Sequence, residues 1–245
     1  MSTEESVANK KKIGRLYGVG VGPGDPELMT LRAHSILSRV AVIFVPQKDK
    51  QSGSYAKSII ADLVKESERN VIELVFPMLR DRKQLADYWH KAAESMWQYL
   101  KMGEDCAFVN EGDPLLYGTF IHIFETLRKN HPELEIEVVP GISSINAAAA
   151  RTVIPLASND EHIAIISGNC EEKAIRDTLQ NFDTVVFMKV NTVFDKLLVI
   201  LKELNLIEKS VYVRRCTTQD EEIVWDISKL EGKKVDYFSL VIVRK

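Results

Sequence analysis

Short β-branched runs along this chain alternate with longer segments whose apolar residues recur at helical spacing. That is the pattern of α/β units around a mostly parallel sheet. Residues 16–22 predict a buried strand, and 27–38 a helix on Leu28, Leu31, Ile36 and Leu37. Residues 40–45 predict a second strand, stopped by Pro46. A helix at 55–64, an extended run at 71–76 and a long amphipathic helix at 83–101 follow, the last on Leu85, Trp89, Ala93, Met96 and Leu100. The first half closes with a strand at 106–109 and a helix at 117–129.

His131-Pro132-Glu133 is the expected boundary, because a helix stops before proline and a new extended run, 136–139, begins after it. The alternation then resumes. Helices are expected at 143–150, 171–180 and 193–204, and strands at 162–167, 184–189, 211–215 and 237–243. The segment around Trp225 fits either a strand pair or a loop. The expectation is two α/β lobes, 1–133 and 134–245, with a ligand cleft between them.

Composition narrows the function classes. Lys and Arg number 32 against 35 Asp and Glu, a formal net charge of −3, with 45% hydrophobic residues. This suits a globular chain and argues against broad phosphate neutralisation, hence against nucleic acid as partner. The polar N-terminal stretch is unlike a signal peptide, and no apolar run is long enough to span a membrane, so a cytoplasmic protein is expected. Cys106, Cys170 and Cys216 show neither CxxC nor ligand spacing and are expected as free thiols. The five histidines form no HExxH pair, so no protein metal site is expected, and spacing gives His34 and His122 no support as axial ligands.

Three strand-end loops concentrate the chemistry. The first, Gly18-Val19-Gly20-Val21-Gly22-Pro23-Gly24-Asp25-Pro26, lets backbone approach a ligand. It gives no G-x-G-x-x-G frame, the second strand ends in Val45-Pro46-Gln47 rather than an acid, and no Gly-Lys-Ser/Thr follows. Dinucleotide and Walker A sites are therefore excluded. The second loop, Glu111-Gly112-Asp113-Pro114-Leu115-Leu116-Tyr117, puts an acid and a glycine where open α/β sheets bind ligands. The third, Val138-Val139-Pro140-Gly141-Ile142-Ser143-Ser144, sets two hydroxyls at a helix start, where a serine also serves as an N-cap.

In order and spacing, from about Leu16 to the end, these motifs resemble the tetrapyrrole (corrin/porphyrin) methylases, two-lobed enzymes that use S-adenosylmethionine. Phe76-Pro77-Met78, Asp113-Pro114-Leu115-Leu116-Tyr117, and Ala147 to Arg151 before Ile154-Pro155-Leu156-Ala157 are most similar to the C20-methyltransferases of precorrin-2 and its cobalt form, cobalt-factor II, in cobalamin synthesis. Asn110-Glu111 and Gly118-Thr119 depart from residues common in the family at those places.

The resemblance implies an α/β fold with S-adenosylmethionine between the lobes, a tetrapyrrole substrate, S-adenosylhomocysteine as product and a homodimer. It implies donor contacts at Pro23, at Glu111, Gly112, Asp113, Leu116, Tyr117 and Thr119, at Ser143 and Ser144, and at Met188, Cys216 and Thr217. Apolar packing explains Met188 and Cys216 nearly as well. A ring fringed by carboxylates calls for cationic forks, with Arg32, Lys48, Lys50, Arg80, Arg82 and Lys83 as candidates, although such residues are more often solvated surface charges. Asp25 and Tyr17 are candidates for contacting the ring or taking a proton, with helix capping the competing role for Asp25. Residues 47–54 suit either a lid or a plain surface loop. Two alternatives remain: a methylase of the same fold acting on another ring carbon or a non-tetrapyrrole acceptor, and a non-enzymatic S-adenosylmethionine sensor.

Overall fold

The computed structural model describes residues 12–49, 51, 53–67, 69–77, 81–168 and 170–245. They fall into two compact units, one ending at Ser143 and the other Ser144–Lys245. Among them, no helix is long and apolar enough to cross a membrane.

The first unit is an all-parallel five-stranded sheet. Its strands are β1 (Leu16–Gly20), β2 (Val42–Gln47), β3 (Asn70–Val75), β4 (Cys106–Asn110) and β5 (Ile136–Val139), in the order β3-β2-β4-β1-β5. Side chains alternate across it. Tyr17, Val19, Ile43, Val45, Ala107 and Val109 face α1 (Leu31–Leu37) and α2 (Tyr55–Ile59), with α3 (Ala61–Ser67) alongside. Leu16, Val42, Phe44, Cys106 and Phe108 face α4 (Arg82–Leu100) and α5 (Phe120–Asn130) through Met96, Leu100, Phe120 and Ile123. Both faces are covered, so the three central strands, β1, β2 and β4, are buried at every position rather than alternately.

The second unit opens with α6 (Ser144–Thr152) and continues through β6 (Ile163–Ser167), α7 (Glu172–Asn181), β7 (Thr184–Met188), α8 (Phe194–Glu203), β8 (Ser210–Arg214), β9 (Glu222–Val224) and β10 (Ser239–Arg244). Its order is β6-β7-β10-β8-β9. Only β6 and β7 pair in parallel, because β10 runs antiparallel between β7 and β8, and β9 antiparallel to β8. Val185, Phe187, Tyr212, Val241 and Val243 pack on Ile175 and Leu179 of α7 and Leu197, Leu198 and Leu201 of α8.

Four expectations need correction. The boundary at 133/134 would separate β5 from its partner, whereas β5 pairs with β1 and belongs to the first unit. The mostly parallel sheet holds for the first unit only, since the second is mixed. Pro46 lies inside β2 rather than after it: the β4 ladder ends at Phe44, so the missing N–H falls on a side with no strand partner. The helix expected over 27–38 is broken into a 3₁₀ turn, Pro26–Leu28, and α1, whose start is set by the Thr30 hydroxyl accepting from the Ala33 N–H at 3.1 Å.

Candidate functional site

The carboxyl ends of β1, β4 and β5 lie side by side, and their three loops pack backbone against backbone. The Gly112 N–H donates to Gly22 O at 2.8 Å, and the Val21 N–H to Asn110 O at 3.0 Å. A Cβ on Gly20 would stand 2.6 Å from Gly112 O, and one on Gly141 only 2.1 Å from that oxygen. Glycine at 20 and 141 is therefore required for this approach. The Asp113 carboxylate fastens the arrangement, one oxygen accepting the Leu115 N–H at 2.9 Å and the other the Gly141 N–H at 3.1 Å. The buried Asn110 donates to the carbonyls of Glu111 at 2.7 Å and Asp113 at 3.4 Å. Asn110 belongs to this frame although sequence reasoning had noted it only as a departure.

Around the frame, Leu115, Tyr117 and Ile142 expose apolar surface, while Pro23 and Ser143 are buried and Glu111, Leu116 and Thr119 half-buried. Tyr117 stands at a positive φ of 54°, so α5 begins at Phe120 rather than at 117, and Thr119 sits at its N-cap position without a side-chain cap bond. Tyr55, which sequence reasoning passed over, donates its hydroxyl to Pro23 O at 3.0 Å and ties α2 to the first loop.

The carboxyl edge of the second unit carries Met188, Cys216 and Thr217. Met188 ends β7, pairing with Ser167 and Leu240, and its carbonyl accepts the Gly168 N–H at 2.7 Å. Ser144 begins α6. Cys216 and Thr217 lie just past β8, where Arg215 and Thr217 both take positive φ, 44° and 67°. Three such non-glycine residues at one sheet edge, Lys189 at 55° being the third, mark a locally strained rim of the kind found at functional sites. The Glu221 carboxylate holds the turn by accepting the Thr217 N–H at 2.7 Å. Arg151 beside it holds that carboxyl below the usual range, whereas burial pushes the Cys216 thiol up to about 12 and keeps it neutral.

Several expected ring contacts are differently engaged. Tyr17 is 3% exposed within the face of the sheet covered by α1 and α2, with its hydroxyl accepting from Arg39 at 3.4 Å, so it cannot serve as a proton acceptor for a ligand. Arg32 pairs with Glu137 of β5, Nε to Oε1 at 3.2 Å, and is already committed to a carboxylate. Asp25 caps the 3₁₀ turn by accepting the Glu27 N–H at 2.9 Å, the competing role weighed above. Lys48 and Lys83 are exposed and Arg82 opens α4, while Lys50 and Arg80 lie outside the described residues, as do parts of segment 47–54. His34 is exposed, and His122 lies flat on the Trp89 ring at 3.8 Å. No group of three or more His, Cys, Asp or Glu among the described residues is placed to hold a metal ion.

The first unit's edge offers glycine-packed backbone for close approach and exposed apolar side chains, and the second unit's edge a strained turn around a buried, neutral thiol. Comparison with known proteins shows the family. The family model described as Tetrapyrrole (Corrin/Porphyrin) Methylases matches residues 15–231. A probable cobalt-precorrin-2 C(20)-methyltransferase of Methanocaldococcus jannaschii is 38% identical, the match covering 96% of this chain and 98% of that protein. The cobalt-precorrin-2 C(20)-methyltransferase of Salmonella typhimurium is 31% identical, over 95% and 97% respectively. Among solved structures, the uroporphyrin-III C-methyl transferase of Thermus thermophilus, complexed with S-adenyl homocysteine, superposes with a TM-score of 0.66 over 95% of this chain and 98% of that one. At 20% identity, that likeness establishes the fold.

Proposed function

The chain belongs to the tetrapyrrole (corrin/porphyrin) methylase family, and on that premise we propose that it transfers the methyl group of S-adenosylmethionine to C20 of precorrin-2 or its cobalt form in cobalamin biosynthesis. The observation that carries this reading is the end-to-end match, at 38% identity, to a relative named for that reaction.

S-adenosylmethionine supplies a methyl carbon made electrophilic by its sulfonium, which becomes a neutral thioether as the carbon–carbon bond forms. The chain's task is to hold the acceptor carbon in line with that methyl, an effect worth about 7–11 kcal/mol of the barrier when alignment is good. In this reading Glu111, Gly112, Asp113, Leu116, Tyr117 and Thr119 hold the methionine end, with Pro23 at the first loop. Ser143, Ser144, Met188, Cys216 and Thr217 hold the nucleoside. Asp113 acts through its two backbone bonds, keeping the second and third loops at a fixed spacing. Exposed Leu115 and Ile142 offer an apolar surface for a flat ring, and Lys48 and Lys83 a charge for its carboxylates. The same reading has the enzyme act as a homodimer in the cytoplasm.

A panel of acceptors tests the reading. Precorrin-2 and its cobalt complex should each gain one methyl mass in preference to uroporphyrinogen III, to later precorrins and to histidine-containing protein acceptors. Preference for any of those others would move the activity elsewhere within the fold, and donor binding without consumption would make the protein a sensor.

A further inference from the structure

Arg151 and Glu221 form a side-chain pair in the second unit that the reaction as described does not use. Arg151 ends the alanine-rich run of α6, about two turns and roughly 10 Å along the helix axis from Ser144. Its Nε stands 2.9 and 3.1 Å from the two Glu221 oxygens and its Nη2 2.6 Å from Oε1, a two-pronged fork. The Glu221 side chain is only 12% exposed. The same carboxylate accepts the Thr217 N–H at 2.7 Å, and the Thr218 hydroxyl donates to Arg215 O at 2.8 Å.

We propose that Arg151 and Glu221 are a positioning pair for the methyl donor: they fix the left-handed turn at 215–217 relative to α6, and so set affinity for the nucleoside end of S-adenosylmethionine. The inference rests on the assignment of Ser144, Cys216 and Thr217 to that end. The physical case lies in how one carboxylate is shared. Thr217 sits at φ 67°, which a threonine adopts only under constraint, and the bond from its N–H to Glu221 is the constraint that reaches α6 through Arg151, beside the Thr218 N–H to Arg215 O bond at 3.1 Å within the turn. A planar guanidinium fork fixes angle as well as distance, which a lysine ammonium would not. Glu221 is largely buried while Arg151 is 55% exposed, so the pair acts through the geometry of the fork more than through its charge. Cys216, between the two strained residues, is buried beside that carboxylate, so the turn presents a neutral thiol rather than a charge.

The test compares wild type with R151M, R151K, E221Q and the R151M/E221Q double variant. It measures S-adenosylhomocysteine affinity by calorimetry, steady-state kinetics in both substrates, and ligand-free thermal stability. The expected result is a rise of about tenfold in Kd and in KM for the donor for R151M and E221Q. R151K should lie between these and wild type, and the double variant should be no worse than the weaker single. KM for the ring and kcat at saturating donor should stay within about twofold. Folded single variants that bind the donor as wild type does would overturn the proposal. So would a fall in kcat with donor KM unchanged, or parallel losses for both substrates that track lost thermal stability. Wild-type protein that binds no S-adenosylhomocysteine would instead defeat the donor assignment beneath it, a result distinguishable from the others.

Discussion

At Gly141 the chain has no room for a side chain. Its missing Cβ would lie 2.1 Å from Gly112 O and 2.8 Å from the Gly20 Cα, so three strand-end backbones share one contact. Gly141→Ala is therefore expected to destabilise the first unit by about 1–3 kcal/mol, as overpacking does. It should also weaken donor binding, and chemical denaturation and calorimetry on the same variant read both. A variant as stable and as tight-binding as wild type would contradict the packing described. The glycines of this contact were legible because Gly, Pro and Asp at strand ends are strong signals. The orientation of Tyr17 was not: a strand buried on both faces carries no polar alternation to say which side a residue takes, and Tyr17 went into the core. The Arg32–Glu137 pair was hidden for a related reason, since Glu137 is distant in sequence and comes near only when β5 pairs with β1.

Among the elements, β10 carries a disproportionate share of the second sheet. It pairs with β7 on one side and β8 on the other, and Val241 and Val243 enter the core between them. Removing residues 239–245 should therefore unfold the second unit, seen as loss of the cooperative thermal transition and of amide protection in β7 and β8. A truncated chain that keeps both strands protected would show that β10 is dispensable. The sequence made this strand visible through its β-branched residues, but not its direction, because a strand's partner and polarity depend on distant pairings. Pro46 shows the same limit: proline stops a strand only where its N–H is needed, and the β4 ladder has already ended there. The break between the 3₁₀ turn and α1 had a local signal in Thr30, a good N-cap that apolar spacing alone overlooked.

At the scale of the molecule, the alternation of strands and helices and the three ordered loop motifs were enough to identify the family, because each motif has a mechanical reason at a strand end. The division into units was harder. Pro132 does follow the end of α5, yet what decides a boundary is where the next strand pairs, and β5 pairs backward into the first sheet. The position of the added methyl tests the central claim most directly. Purified protein would be incubated without oxygen with S-adenosylmethionine carrying a 13C-labelled methyl group and either precorrin-2 or its cobalt complex, and the product examined by NMR. A single labelled methyl at C20 is the expected result. A methyl on any other carbon, or no transfer to either ring by folded protein that binds the donor, would contradict it.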